Sequence, residues 1–302
     1  MKITVTGATG LIGRPLVAEL KRRGDEVTVL SRNAAAAEAN LGVKAYAWKA
    51  ETEEAPVEAL TGRDAVIHLA GEPVSQRWSA KSKEAIRASR VDGTSNLVAG
   101  LRQAQNKPSV LVSGSAVGWY GPLGDEPVDE SAPAGSDFLA QVCADWEKAA
   151  EQAQEFGIRT AIIRTGVVLA ANDGALAKML PPFKAGVGGP VAGGAQMMPW
   201  IHLDDIVGLI IAAVDGGAEW SGPINGTAPT PVSNKVFSKA LGKTLKRPSF
   251  SPVPAFAIKA MYGEMAQIVL TGQNAIPAKA TELGFKWRHG DLNEALTDIL
   301  SS

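Results

Sequence analysis

The stretch Ile3-Thr4-Val5-Thr6-Gly7-Ala8-Thr9-Gly10-Leu11-Ile12-Gly13, followed one helix-length later by Glu26-Val27-Thr28-Val29-Leu30-Ser31-Arg32, decides the fold. A short β-branched run, a glycine-spaced turn, a helical segment and a second apolar run have the layout of a dinucleotide-binding βαβ unit. Gly7 allows the tight turn, Gly10 lets backbone N–H groups approach a pyrophosphate without a Cβ in the way, and Gly13 lets the helix lie close to the sheet. The helix N-terminus then faces the anion with unpaired N–H groups and a positive dipole end. Thr9, Leu11 and Ile12 lie in the same turn and join the three glycines as expected cofactor contacts. An acidic residue closing the second strand would bond the ribose 2′-hydroxyl of NAD. Ser31 and Arg32 supply a hydroxyl and a fixed cation instead, which suits a 2′-phosphate and favours NADP.

Composition bounds the rest. A chain of 302 residues with 45% hydrophobic content has ample material for a core and fits one large domain or one domain with a smaller partner. Thirty basic and thirty-one acidic residues leave a net charge of −1, which points to neither nucleic acid nor an acidic membrane as partner. No apolar run has transmembrane length and no targeting stretch opens the chain, so a soluble cytoplasmic protein is expected. One cysteine, Cys143, excludes an intramolecular disulfide. His68, His202 and His289 are scattered and suggest no metal-ligand cluster, so no metal is expected.

Further strand-like runs at 43–48, 65–69, 110–113 and 160–164 are separated by helical sequence, as in an α/β, Rossmann-like doubly wound parallel sheet. Long helices are expected at about 79–103 and 137–155, and another at 203–214 with Asp204 and Asp205 at its start. Glycines crowd residues 185–194, where the loop is either a substrate lid or an irregular connection. Prolines then multiply beyond residue 222. This divides the chain into a nucleotide-binding domain over 1–215, with 185–200 contributing to the substrate pocket, and a smaller C-terminal substrate-side region over 216–302.

Several separated motifs together resemble the extended short-chain dehydrogenase/reductase superfamily, and within it an atypical epimerase-like family. They are Gly7 to Gly13, Leu69-Ala70-Gly71-Glu72, Ser113-Gly114-Ser115-Ala116-Val117-Gly118-Trp119-Tyr120-Gly121, Asp137-Phe138-Leu139-Ala140-Gln141-Val142-Cys143, Arg164-Thr165-Gly166-Val167-Val168-Leu169, Pro199-Trp200-Ile201-His202-Leu203-Asp204-Asp205 and Asn225-Gly226-Thr227-Ala228. The segment from about 248 resembles that family's small C-terminal domain of unknown function. The resemblance implies Ser31 and Arg32 at the 2′-phosphate, and Leu69, Ala70 and Gly71 beside the adenosine half. Glu84 and Arg90 follow as further cofactor contacts, and Val168 as a contact on the nicotinamide side. Arg90 equally fits a helix-surface charge. In relatives the two long helices form the usual dimer surface, and monomer and homodimer both remain open.

Typical members carry a Tyr-x-x-x-Lys pair whose tyrosine transfers a proton while hydride moves, with the lysine lowering its pKa. The helix after Asp137 offers only Leu139 and Cys143, or Phe138 and Val142, depending on register. A modified site would use Ser113 or Ser115 to orient a substrate oxygen and Tyr120 as proton donor. On the opposing reading Trp119 and Tyr120 line an apolar pocket, and the two serines satisfy backbone groups at a strand end. Cys143 reads as a small buried residue, His202 as a structural hydrogen bonder and His68 as a satisfied core histidine. Asn225 either contacts substrate or anchors its loop. The resulting expectation is an NADP(H)-dependent oxidoreductase acting on a small molecule. The alternatives are a nucleotide-sugar epimerase-like enzyme and a non-catalytic NADPH-binding regulator.

Overall fold

The computed structural model describes residues 1–301. Seven parallel strands form the main sheet: β1 (Lys2–Thr6), β2 (Glu26–Ser31), β3 (Lys44–Ala47), β4 (Ala65–His68), β5 (Val110–Ala116), β6 (Arg159–Thr165) and β7 (Gly222–Gly226). Their order is β7-β6-β5-β4-β1-β2-β3. The chain therefore reverses direction across the sheet between β1 and β4, the crevice where open α/β sheets bind ligands.

Helices α1 (Gly13–Arg22), α2 (Ala34–Leu41), α3 (Ala80–Gln103), α4 (Phe138–Glu151), α5 (Gly174–Lys184) and α6 (Leu203–Asp215) follow the expected periodicity where the sequence shows one. Leu16, Val17 and Leu20 of α1 and Ile206, Leu209 and Ile210 of α6 pack on one face of the sheet with Val5, Val29 and Val112. Leu97, Val98 and Leu101 of α3 and Ala150 of α4 cover the other face with Val66 and Leu111. Local chemistry fixes the ends. Ser79 caps α3 in a reciprocal box with Ser82, and the Asp137 carboxylate accepts from the Ala140 N–H at the start of α4. Arg159 donates to the carbonyls of Ala213, Val214, Gly216 and Trp220 and so closes the C-terminus of α6.

Strand β7 lies beyond residue 215 and pairs with β6 from Gly222 to Gly226 as the edge of the main sheet. After that strand the chain leaves the sheet. Val232–Ser233 pairs with Met197–Met198, Asn274–Ala275 pairs with Pro127–Val128, and a bridge joins Val191 to Val253. The glycine-rich 185–194 loop is thus seated on the C-terminal segment, with no space for a Cβ at Gly189 against the Ser251 carbonyl. Helix Leu292–Ser301 returns to pack Leu296 and Ile299 with Phe237, Leu180 and Trp200. Among the described residues, no helix is long and apolar enough to cross a membrane.

Buried His68 ties β4 to its neighbours. Thr6 Oγ1 accepts from the Leu69 and Ala70 N–H groups at 3.2 Å and lies 2.7 Å from His68 Nδ1, so its own proton goes to the imidazole. His68 Nε2 then carries the ring proton toward Thr94 Oγ1 at 3.0 Å. Burial pulls the pKa of His68 from 6.5 to about 4. Below pH 6.5 the unfolded chain binds a proton that the native protein refuses, so stability falls as the pH drops toward 4. By pH 4.5 this group alone costs roughly 2–3 kcal/mol. Urea unfolding across pH 7 to 4.5 should show that slope, and H68Q should flatten it.

Candidate cofactor and active site

Three loops converge at the switch point. Gly7 adopts φ +67°, and a Cβ there would stand 2.5 Å from the Leu69 carbonyl carbon, so the turn after β1 lies directly on the turn after β4. A Cβ on Gly13 would stand 2.2 Å from Gly7 O, which explains how tightly α1 tucks beneath the turn. Gly10 is exposed, and a Cβ there would meet only Gly7 O at 3.3 Å, so the rim of the turn stays open to a ligand. No side chain caps α1 and no acidic residue occupies its first turn. On the third side, the start of α5 covers Leu11: a Cβ on Gly174 would lie 2.9 Å from Leu11 Cδ2. Val168 is buried on the short strand Val167–Leu169 leading into that helix.

At the end of β2, Ser31 Oγ lies 3.3 Å from both the N and the O of Asn33. The Asn33 side chain caps α2 through the Ala36 N–H. Arg32 is exposed, and among the described residues no side chain pairs with it. The end of β2 thus presents one hydroxyl and one cation beside the open glycine turn. Glu84 is exposed on α3, and among the described residues no side chain pairs with it.

Arg90 is largely buried rather than a surface charge. Its Nη1 donates to the carbonyls of Glu72 (2.9 Å) and Ile86 (3.2 Å), and its guanidinium lies against Gly71 and 5.2 Å from the Trp146 ring. Desolvation lowers its pKa. Arg90 therefore shapes the turn after β4, and the Ser89 hydroxyl, which accepts from the Glu72 N–H, fixes the same turn.

The residues considered for chemistry separate. Ser113 is fully buried and its hydroxyl donates to the Gly114 carbonyl at 3.2 Å, a backbone role. Ser115 donates to Glu147 Oε1 at 2.6 Å. Glu147 is also gripped by Arg164, through Nε to Oε1 and Nη2 to Oε2, both at 2.9 Å. Arg164 Nη1 reaches Tyr120 Oη at 3.2 Å, and the Tyr120 hydroxyl donates to Asn225 Oδ1 at 2.8 Å. Asn225 Nδ2 continues to the Ile276 carbonyl, which makes it a loop anchor. The short turn Val117–Tyr120 carries the tyrosine ring inward against Val117 and Ala275. Burial, the leading cause, raises the Tyr120 pKa despite Arg164 and Asn225. Trp119 instead lies under Arg164, 3.9 Å from ring centroid to Cζ. Both polar atoms of the candidate donor pair are thus engaged in one buried chain that the sequence did not reveal: Ser115, Glu147, Arg164, Tyr120, Asn225.

Helix register is also settled. Leu139 and Cys143 flank Gly118, 3.5 and 3.7 Å from where its Cβ would be, so they occupy the positions facing the strand end. Burial first, then Glu147, pushes the Cys143 thiol up to about 12, with Arg90 opposing. Such a thiol is unreactive. A thiol reagent at pH 8 should leave the native protein unlabelled and modify one cysteine after unfolding.

The fold does assemble a histidine cluster absent from the linear reading. His202 and His289 stack at 3.8 Å, and their nitrogens lie within 4.8 Å of an Asp204 oxygen. His202 Nδ1 already accepts the Asp204 N–H at the start of α6, and Nε2 faces Asp298 at 3.3 Å. Near-parallel rings direct their in-plane lone pairs side by side rather than to one point, so the cluster is a junction between α6 and the C-terminal region. Asp205 reinforces it by accepting the N–H groups of Arg288 and His289. Burial, followed by His289, lowers the His202 pKa.

A sequence model of the NAD dependent epimerase/dehydratase family matches residues 3–223 of this chain. The chain belongs to that family. A second model, a domain of unknown function designated DUF1731, matches residues 253–299 of this epimerase-family protein. The chain is 43% identical over 99% of its length, and 87% of the relative's, to the SDR39U1 homologue, chloroplastic, of Arabidopsis thaliana. It is 37% identical to the epimerase family protein YfhF of Bacillus subtilis, over 100% of this chain and 98% of the other. The crystal structure of human SDR39U1 with NADPH superposes with a TM-score of 0.89 at 31% identity, covering 100% of both chains. A nucleoside-diphosphate sugar epimerase from Corynebacterium glutamicum gives 0.78 at 35% identity, over 99% of this chain and 58% of the other. The epimerase-family protein is thus a member of the extended short-chain dehydrogenase/epimerase superfamily with its small C-terminal domain.

Proposed function

We propose that the protein is an NADP(H)-dependent oxidoreductase acting on a small molecule at the carboxyl ends of β4, β5 and β6. The observation that carries the reading is Arg32, exposed and without a partner among the described residues, next to Ser31 and beside the open Gly10 turn. The human relative solved with NADPH supports the choice of phosphate. The glycine turn and α1 would hold the pyrophosphate, Ser31 and Arg32 the 2′-phosphate, Leu69, Ala70 and Gly71 the adenosine side, and Val168 the nicotinamide side. The bound cofactor would supply or accept hydride.

Among the candidate residues, Ser115 is the one we assign to the substrate oxygen. Its single proton is given to Glu147, so toward a substrate it would act as an acceptor from a hydroxyl. Glu147 and Arg164 act as positioning residues for it. Tyr120 has no free role, because its hydroxyl is taken by Asn225 and Arg164. The test is reduction of NADP⁺, read at 340 nm, against alcohol and nucleotide-sugar panels, the direction in which the substrate brings the hydroxyl that Ser115 would accept. Turnover lost in S115A with NADPH binding retained supports the assignment; unaltered turnover overturns it.

One observation favours a second reading, an NADPH-binding protein without turnover. The positions facing the end of β5 hold Leu139 and an inert Cys143 in place of a proton-transfer pair. It predicts NADPH binding with no turnover across all panels. An epimerase, as in the Corynebacterium relative, would hold its cofactor without consuming it and would interconvert sugar nucleotides.

A further inference from the structure

The cleft has two banks, and among the described residues a side-chain bridge joins them. On one bank, the 72–79 loop rises from the turn after β4. Its base is fixed by Ser89 and Arg90, and its interior by Gln76 Nε2 donating to the Pro73 carbonyl (2.7 Å) and Trp78 Nε1 donating to the Val74 carbonyl (3.0 Å). On the other bank, α5 begins over Leu11 of the glycine turn, at Gly174. Lys178 stands one helical turn further along the same face. Its ammonium reaches across to donate to Ser75 Oγ at 2.7 Å and to the Ser75 carbonyl at 3.3 Å.

We propose that Lys178 and Ser75 form a clasp that closes the dinucleotide cleft and sets the rate at which the cofactor leaves. The inference rests on the proposed NADP(H) site. The bridge joins the adenosine-side loop to the helix above the pyrophosphate turn, so a dinucleotide lying along that turn must pass it. Both side chains are exposed, which makes the contact easy to open and remake. Among the described residues no carboxylate pairs with Lys178, so the ammonium keeps a third donor available toward an anionic ligand beneath it. The loop's stiff base and interior mean that its tip moves with the turn after β4 as one piece.

Stopped-flow release of NADPH from the full-length protein, chased with excess unlabelled nucleotide, tests the clasp. K178A should release NADPH about three- to tenfold faster than wild type, the effect of losing one charged contact at an exposed site. S75A should accelerate release by a smaller factor, because the carbonyl contact survives. The double variant should be no faster than K178A, since the two residues act as one unit. Both positions are exposed, and melting curves should match wild type. Wild-type release rates in K178A, no effect of S75A, or multiplicative effects in the double variant would each overturn the clasp while leaving NADPH binding intact. Failure of the wild-type protein to bind NADPH would instead overturn the cofactor reading and the clasp with it.

Discussion

Replacing Arg32 by alanine is expected to weaken NADPH binding by about tenfold to a hundredfold, the worth of a charge-assisted phosphate contact, while NADH binding changes less than about threefold. The asymmetry follows from position. Arg32 follows β2 beside the glycine turn and has no partner among the described residues, so its removal breaks none of their contacts. The two cofactors differ only in the phosphate it would meet. Screening should shrink the difference as salt rises, because the contact lies at the surface. Isothermal titration of both variants with both nucleotides provides the check, and an equal loss for NADH would move Arg32 from the 2′-phosphate to the pyrophosphate.

Replacing Glu147 by alanine is expected to give the largest stability loss of any single change discussed, about 3–5 kcal/mol. Glu147 and Arg164 side chains are 4% and 3% exposed, and removing the carboxylate strands a buried guanidinium that otherwise has bidentate satisfaction. Burial alone depresses the Arg164 pKa, and Glu147 and Tyr120 more than restore it. The loss should therefore be charge-specific. A paired replacement, E147M with R164M, removes both ions together and should recover most of the stability, because packed apolar groups replace an ion pair at little cost. Urea unfolding of the three variants distinguishes this from simple loss of packing volume.

Some of this architecture is legible in the residues alone because local chemistry dictates it. Gly7, Gly10 and Gly13 announce the turn, and the run from Glu26 to Leu30 announces a buried parallel strand. Ser79 and Asp137 mark the starts of helices with capping side chains that the fold uses. Strand β7 escapes because Gly222-Pro223-Ile224-Asn225-Gly226 has almost no strand propensity. It is tolerated as an edge strand bonded only to β6, where a proline costs little. Helix α5 is masked by Pro181 and Pro182 inside it.

The site was less legible, for a different reason. Glu147 looks like the polar side of an amphipathic helix, and nothing local indicates that Arg164 on β6 will face it. Tyr120 follows a serine-bearing strand closely enough to look catalytic, yet the one-turn helix Val117–Tyr120 rotates its hydroxyl to Asn225, which lies 105 positions away in sequence. His202 and His289 meet only because the C-terminal segment folds back on α6. Each of these contacts is made by the topology and has no spacing signature.

The central claim is an NADP-selective dinucleotide site, and the most direct measurement is a parallel titration of the purified protein with NADPH and NADH. Energy transfer from its seven tryptophans to the reduced nicotinamide reports both. Binding of NADPH at least about tenfold tighter than NADH, or about 1.4 kcal/mol, is the predicted result. Equal affinity for the two would contradict the assignment of Ser31 and Arg32 to the 2′-phosphate, and absence of binding by either would contradict the cofactor site itself.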